Sequence, residues 1–188
     1  MGLLEIAYKY EQSLFERHDE KDGTPLSTAA SIGYLDGVRF IVQKFPNHAY
    51  DRGPLGCCPI HRAARKGHVK VIREFLRLCP DSGELLNWSC QNILHMAAES
   101  GRANVVMFIL QVPHLEMLIN ETDQLGNTPL HLATTAACFK VVEILTRDKR
   151  VLLDLEDNKG HTVVDAAQRS SNADSPSVRQ CALAQAEL

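Results

Sequence analysis

At 188 residues, with 45% apolar and 23% charged side chains, the chain has the composition of a globular protein sized for one domain or one short array. A formal charge of -3 and a pI near 6.2 exclude a surface given over wholly to phosphate backbones, so nucleic acid is not an expected partner. The six cysteines (57, 58, 79, 90, 138 and 181) include no Cys-x-x-Cys pair and read as reduced thiols in a cytoplasmic protein. The longest apolar run, Val105 to Leu110, falls far short of the roughly 18 residues a membrane span needs. Met1-Gly2 is followed by Ile6 where a lipidation signal wants Ser or Thr, and no signal-peptide pattern is present.

In chain order, the opening residues come first. Shifting them forward by about 35 lays Leu3, Ile6, Tyr10, Leu14 and Phe15 over Val38, Ile41, Phe45, Ala49 and Tyr50. The expectation is a partial repeat at 1–18 holding only a second helix, and a truncated or shortened product. The apolar face of residues 1–15 is a candidate surface for a homodimer. From 19 to 169 a unit recurs. Thr24-Pro25-Leu26-Ser27-Thr28-Ala29-Ala30 is echoed by Cys58-Pro59-Ile60-His61-Arg62-Ala63-Ala64 and by Asn92-Ile93-Leu94-His95-Met96-Ala97-Ala98. Thr128-Pro129-Leu130-His131-Leu132-Ala133-Thr134 follows, with a worn copy at Thr162-Val163-Val164-Asp165-Ala166-Ala167. The anchors 26, 60, 94, 130 and 164 are spaced by 34, 34, 36 and 34 residues.

Seven residues past the first three anchors stand Gly33, Gly67 and Gly101, where a helix ending in a left-handed residue favours glycine; the fourth unit has Ala137. A second apolar stripe with i, i+3, i+4 spacing follows: Val38, Ile41 and Val42; Val71, Ile72, Phe75 and Leu76; Val105, Val106, Ile109 and Leu110; Val141, Val142 and Leu145. Each unit therefore reads as a helix, a stop, a second helix and a turn-rich connector. Arg169 to Ser177 reads as a loop and Val178 to Leu188 as a short capping helix, so 170–188 closes the chain.

The Thr-Pro-Leu-His-x-Ala-Ala signature with a period near 34, over about 170 of the 188 positions, closely resembles the ankyrin family. The resemblance implies an all-α ankyrin-repeat solenoid of stacked helix-turn-helix units joined by β-hairpin-like loops. It also implies that His61, His95 and His131 bridge neighbouring repeats. Threonine as helix cap and proline at the first helical position suit the start of each first helix, and Cys58 replaces that cap in the second unit. Further details resemble the plant ankyrin proteins of the accelerated-cell-death type. They are Phe45-Pro46, Cys79-Pro80-Asp81-Ser82, Arg65-Lys66-Gly67-His68-Val69 and the connector from Val112 to Asn120. That likeness implies a setting in plant defence or stress signalling, and a longer parent protein at the cytosolic face of the plasma membrane.

Ankyrin stacks bind through hairpin tips and the exposed side of the first helices, because those positions carry no packing duty. The candidate partner-binding residues at the tips are Leu55, Cys57, Trp88, Ser89, Gln91, Gln124, Leu125, Asn127, Asn158, Lys159 and His161. On the first helices they are Ser31, Ile32, Arg65, Lys66, Glu99, Ser100, Thr135 and Ala136. Trp88, the sole tryptophan, either forms a contact or folds back onto the neighbouring tip. Unit two carries Arg62, Arg65, Lys66, Lys70, Arg73 and Arg77 against the single acid Glu74, which suits an acidic partner or anionic headgroup as well as a solvated helix face. Thr134 to Phe139 is an apolar surface in unit four.

Catalysis is not expected. The chain has no Gly-x-Ser-x-Gly elbow, no phosphate loop and no His-Glu-x-x-His helix. Cys58 and His61 are explained by the repeat, two ligands alone seldom hold a metal, and no cofactor is expected. The two function classes are a protein-interaction module and the sensing part of a larger membrane signalling protein.

Overall fold

The computed structural model describes residues 23–169. The half repeat expected at 1–18, its use as a dimer surface and the capping helix expected in 170–188 lie outside the described residues.

First helices form where the signature places them: α1 (Pro25–Ile32), α3 (Pro59–Lys66), α5 (Ile93–Glu99), α7 (Pro129–Thr135) and α9 (Val163–Arg169). Their starts are set by side-chain caps. Thr24 Oγ1 accepts the Ser27 N–H at 3.2 Å, and Asn92 Oδ1 accepts those of Leu94 and His95 at 2.9 and 3.0 Å. Cys58 stands at the same position, and its thiol donates to the Tyr50 carbonyl at 3.6 Å.

Gly33, Gly67 and Gly101 end the first three first helices with φ of 77°, 87° and 66°. The chain then reverses into α2 (Leu35–Lys44), α4 (Val69–Leu78) and α6 (Ala103–Leu110). Before α8 (Phe139–Thr146), Ala137 adopts the same left-handed turn at φ 55°, which costs about 1 kcal/mol that glycine would not incur. The second helices bury the expected stripes, with Val38, Ile41, Val71, Ile72, Phe75, Val105, Val106, Ile109, Val141, Val142 and Leu145 inside.

Each first helix packs on the next in one layer and each second helix on the next in another, so one core runs the length of the stack. Anchors Leu26, Ile60, Leu94 and Leu130 are fully buried in it, and Val164 packs against its edge. After the second helices the connectors coil into 3-10 turns, Pro46–Tyr50, Pro80–Glu84 and Pro113–Ile119, each opened by its proline. Sequence periodicity had treated these as plain connectors. They bury Ala49, Ser82, Leu115, Leu118 and Ile119 beneath the second helices.

The histidines hold the first layer together. Nδ1 of His61, His95 and His131 accepts the N–H of its own cap residue, Cys58, Asn92 or Thr128, at 3.2 to 3.3 Å. Nε2–H donates onward to Leu85 O (2.9 Å), Asn127 O (3.0 Å) and His161 O (3.2 Å). One ring nitrogen must accept while the other donates, so the neutral imidazole is the working form. Burial depresses the pKa of all three, that of His61 to about 4. The structural role implied by the family signature is what the geometry shows.

Candidate protein-binding face

Among the described residues, four five-residue tips, at 53–57, 87–91, 123–127 and 157–161, project at one edge of the stack. The N–H of the first residue of each bonds the carbonyl of the fifth: Gly53 to Cys57, Asn87 to Gln91, Asp123 to Asn127 and Asp157 to His161, at 2.9 to 3.0 Å. In the last three tips, Oδ1 of the first residue also accepts the N–H of the third and fifth at 2.8 to 2.9 Å. Those bonds pull the Asp157 carboxyl down to a pKa of about 2, the His161 N–H contributing most. The hairpin-like loops are thus shaped by turn bonds, and no strand ladder occurs among the described residues.

Tip is joined to tip through backbone, with side-chain bonds added from Gln91 Nε2 to Asp123 Oδ2 at 3.4 Å and from Asn158 Nδ2 to Gln124 O at 3.0 Å. Trp88 N–H donates to Leu55 O at 3.2 Å, Gln124 N–H to Ser89 O at 2.9 Å, and Asn158 N–H to Leu125 O at 3.0 Å. The side chains of Leu55, Trp88 and Leu125 are spared that duty. Leu55, Trp88 and Leu125 expose 66%, 67% and 65% of their surface, which makes an apolar row on a rigid base. Ser89, Gln124, Asn158 and Lys159 are exposed beside them. The indole edge of Trp88 lies over Gly56, where a Cβ would come within 2.5 Å of Cδ1, while most of the residue's surface stays exposed.

Other expected contact residues serve the tips internally. Gln91 accepts from Asn87 Nδ2 at 3.0 Å and reaches Asp123, Asn127 Nδ2 donates to Asp123, and the His161 ring meets Asp157 at 3.2 Å; all three are half-buried. Cys57, expected on the surface, is buried at 6% exposure, because as the last tip residue it already points inward toward α3. On the first helices Ile32, Arg65, Lys66, Glu99, Thr135 and Ala136 are exposed, with Ser31 and Ser100 half-buried. Around unit four, Thr134 is buried whereas Phe139 stays 45% exposed.

The basic character of unit two is divided between two helices. Arg62, Arg65 and Lys66 on α3 line a cleft of about 420 Å³ under the first tip, together with Pro54, Leu55 and Met96. Arg73 and Arg77 on α4 face a second cleft of about 430 Å³ beside Phe108, and Arg73 sits 5.2 Å from that ring's centroid. Glu74, the acid counted against this cluster, is buried and pairs with Arg77 at 2.7 Å and Arg39 at 3.1 Å, its carboxyl held below the usual range chiefly by the Arg77 hydrogen bond. Pro54 and Met96 were missed as site residues. Pro54 is recoverable by aligning the tips, since it occupies the position of Trp88.

Among the described residues no cluster of His, Cys, Asp and Glu could hold a metal ion, and no helix is long and apolar enough to cross a membrane. Comparison with known families matches ankyrin repeats in three copies over residues 76–157 and 94–175, and a further ankyrin repeat over 55–82. The chain belongs to the ankyrin-repeat family. Ankyrin repeats are protein-interaction modules, so this array is one.

The ankyrin array is similar to the transient receptor potential cation channel subfamily A member 1 of Homo sapiens, 33% identical over 126 residues covering 67% of this chain and 11% of the channel. It is 30% identical over 158 residues to the leucine-rich repeat serine/threonine-protein kinase 1 of Caenorhabditis elegans, covering 75% of this chain and 7% of the kinase. A match to the probable 26S proteasome regulatory subunit p28 of Saccharomyces cerevisiae is 24% identical over 166 residues, 86% of this chain and 71% of the subunit. The chain spans about a tenth of the channel and less of the kinase.

Proposed function

We propose that this array is a non-catalytic recognition module that binds another protein across the tips and the adjoining ends of the first helices. The observation that carries the reading is the row Leu55, Trp88 and Leu125. Three large apolar side chains stand two-thirds exposed on tips that backbone bonds hold rigid, so ordering them on binding costs little. Binding energy concentrates in such anchors, tryptophan above all. Ser31, Glu99, Ser100 and Thr135, with the exposed apolar Ile32 among them, form the margin on the first helices, and Ser89, Gln91, Gln124, Asn127, Asn158, Lys159 and His161 flank the row.

In the channel and kinase relatives the matching stretch is a small share of the whole, which supports a recognition part working within or beside a larger signalling protein at the cytosolic face of a membrane. The likeness of the connectors at 45–46, 79–82 and 112–120 to plant proteins of the accelerated-cell-death type is the basis for placing that signalling in defence or stress response. The test is a pull-down from native extract with the parent chain and with a Trp88→Ala, Leu125→Ala variant of unchanged helical content. Loss of a captured protein by the variant is the expected result. Equal retention by both overturns the assignment of the face.

A further inference from the structure

The cleft beneath the first tip has a chemistry that narrows the partner. We infer that it receives a protein segment carrying a large apolar side chain beside one or more carboxylates; the inference rests on the concave-face reading above and names the ligand class for one part of it.

Arg62, Arg65 and Lys66 lie at i, i+3 and i+4 on α3, so their side chains share one face, and among the described residues no carboxylate lines the cleft they border. Among the described residues no ion pair joins Arg65 or Lys66 to an acid. A further cation comes from the next unit: Arg102 Nε–H donates to the Arg65 carbonyl at 2.9 Å, and Asn104 donates to Gly67 O at 2.8 Å. The Arg65 and Gly67 carbonyls at the end of α3 are therefore satisfied while the Arg65 and Lys66 side chains are exposed, an arrangement complementary to an anion.

The same cleft has an apolar floor and wall. Met96 and Cys57 are buried at 3% and 6% exposure, and thioether and thiol surfaces adapt to varied side chains. Leu55 and Pro54 form the rim. Leu55 is held at φ 60° and ψ 17°, the third position of a turn closed by Gly56 N–H to Gly53 O at 3.0 Å, where glycine is the ordinary occupant. A branched apolar residue kept at such a cost, and kept exposed, is better suited to contact than to packing.

A protein segment fits this shape better than a bilayer. Arg65 and Lys66 share their cleft with Pro54 and Leu55, Arg62 is only partly exposed, and Arg73 and Arg77 line a different cleft on α4 where Arg73 covers Phe108. No single flat basic plane is presented to headgroups.

The test is selection of twelve-residue peptides displayed on phage against the full chain, followed by fluorescence anisotropy with the enriched sequences. Their Asp/Glu→Asn/Gln analogues are measured alongside, as are vesicles containing phosphatidylserine. Enriched peptides are expected to pair an aromatic or Leu with acids. They should bind about tenfold more weakly to the Arg65→Glu, Lys66→Glu variant, and about tenfold more weakly as neutral analogues. Leu55→Gly, which relaxes the turn, is expected to weaken binding without lowering helical content. Arg73→Glu on α4 should leave affinity within about twofold.

Peptides that bind without acids, indifference to the α3 charge reversal, selection of no binder, or retention of vesicles in place of peptides each overturn the cleft assignment. Peptides that ignore the cleft variants but are lost on Trp88→Ala, Leu125→Ala sink this inference alone and leave the wider face standing. Peptides indifferent to both sets sink the two together.

Discussion

Two seams run the length of the stack, and they are built on opposite plans. Along the tips and first helices, each junction repeats the same bonds: a tip N–H to the preceding tip's carbonyl, and a histidine spanning from its own cap to the next connector or tip. Along the second helices and 3-10 turns every junction differs. Arg39 and Arg77 converge on buried Glu74 at one. Arg73 covers Phe108 at the next, where Gly83 also lies so close to Leu76 that a Cβ would come within 2.7 Å of it. Arg150 reaches Leu110 O at 2.8 Å at the third, while Asn120 donates to Arg150 O at 2.7 Å. A seam made of main-chain and buried histidine bonds leaves its surface side chains open to selection for binding. A seam made of particular side chains commits them to the fold.

The largest expected effect strikes the regular seam. His61→Ala strands the Cys58 N–H and the Leu85 carbonyl inside and opens a cavity, and should cost about 3 kcal/mol in urea unfolding. The same rings make the seam acid-labile. A histidine whose folded pKa lies below its unfolded value near 6.5 stabilises the fold fully above that value, and loses the contribution as pH falls through the folded pKa. For His61 the window runs from about 6.5 down to about 4 and amounts to about 3 kcal/mol. Urea midpoints measured across that window should fall, and a flat profile would show that the rings do not carry the seam.

The irregular seam should yield less. Arg150→Ala removes its bond to Leu110 O and its pair with Asp148, for a loss of about 1 kcal/mol. A loss equal to that of His61→Ala would erase the distinction between the seams. Ala137→Gly should raise stability by about 1 kcal/mol by relaxing the left-handed turn, read as a higher thermal midpoint. The smallest effect belongs to the tips: Trp88→Ala should change stability by less than about 0.5 kcal/mol, since its ladder bond is made by backbone.

Much of the first seam was legible in the sequence because its parts have side-chain signatures. The Thr-Pro caps, the three glycines and the histidines sit at fixed offsets, and each offset reflects a backbone need. The tip ladder left no such mark, since any residue but proline can donate that N–H. The turn within each tip was recoverable, because Asn87, Asp123 and Asp157 stand four residues before the tip's end, where an Asx oxygen closes the turn. The second seam was harder for a different reason. Glu74 counts as one acid among basic neighbours in a linear reading, and only the packing of α2 against α4 shows it to be a buried hub. Cys57 misled similarly: a tip position in sequence, it lies on the inward stroke of its turn. The cleft itself joins α1, the first tip, α3 and α5, separations that no local pattern encodes.

The tip ladder also has a direction. Its donors are Trp88, Gln124 and Asn158, the second residue of each tip, and the residue at that position in the first tip is Pro54, which has no N–H to give. Its acceptors are the third residues, so the next acceptor in the series is the Lys159 carbonyl. Among the described residues the ladder is therefore one-way: each tip from 87–91 onward reaches back to the tip before it, whereas the tip at 53–57 has no donor at that position to turn toward the unit that precedes it.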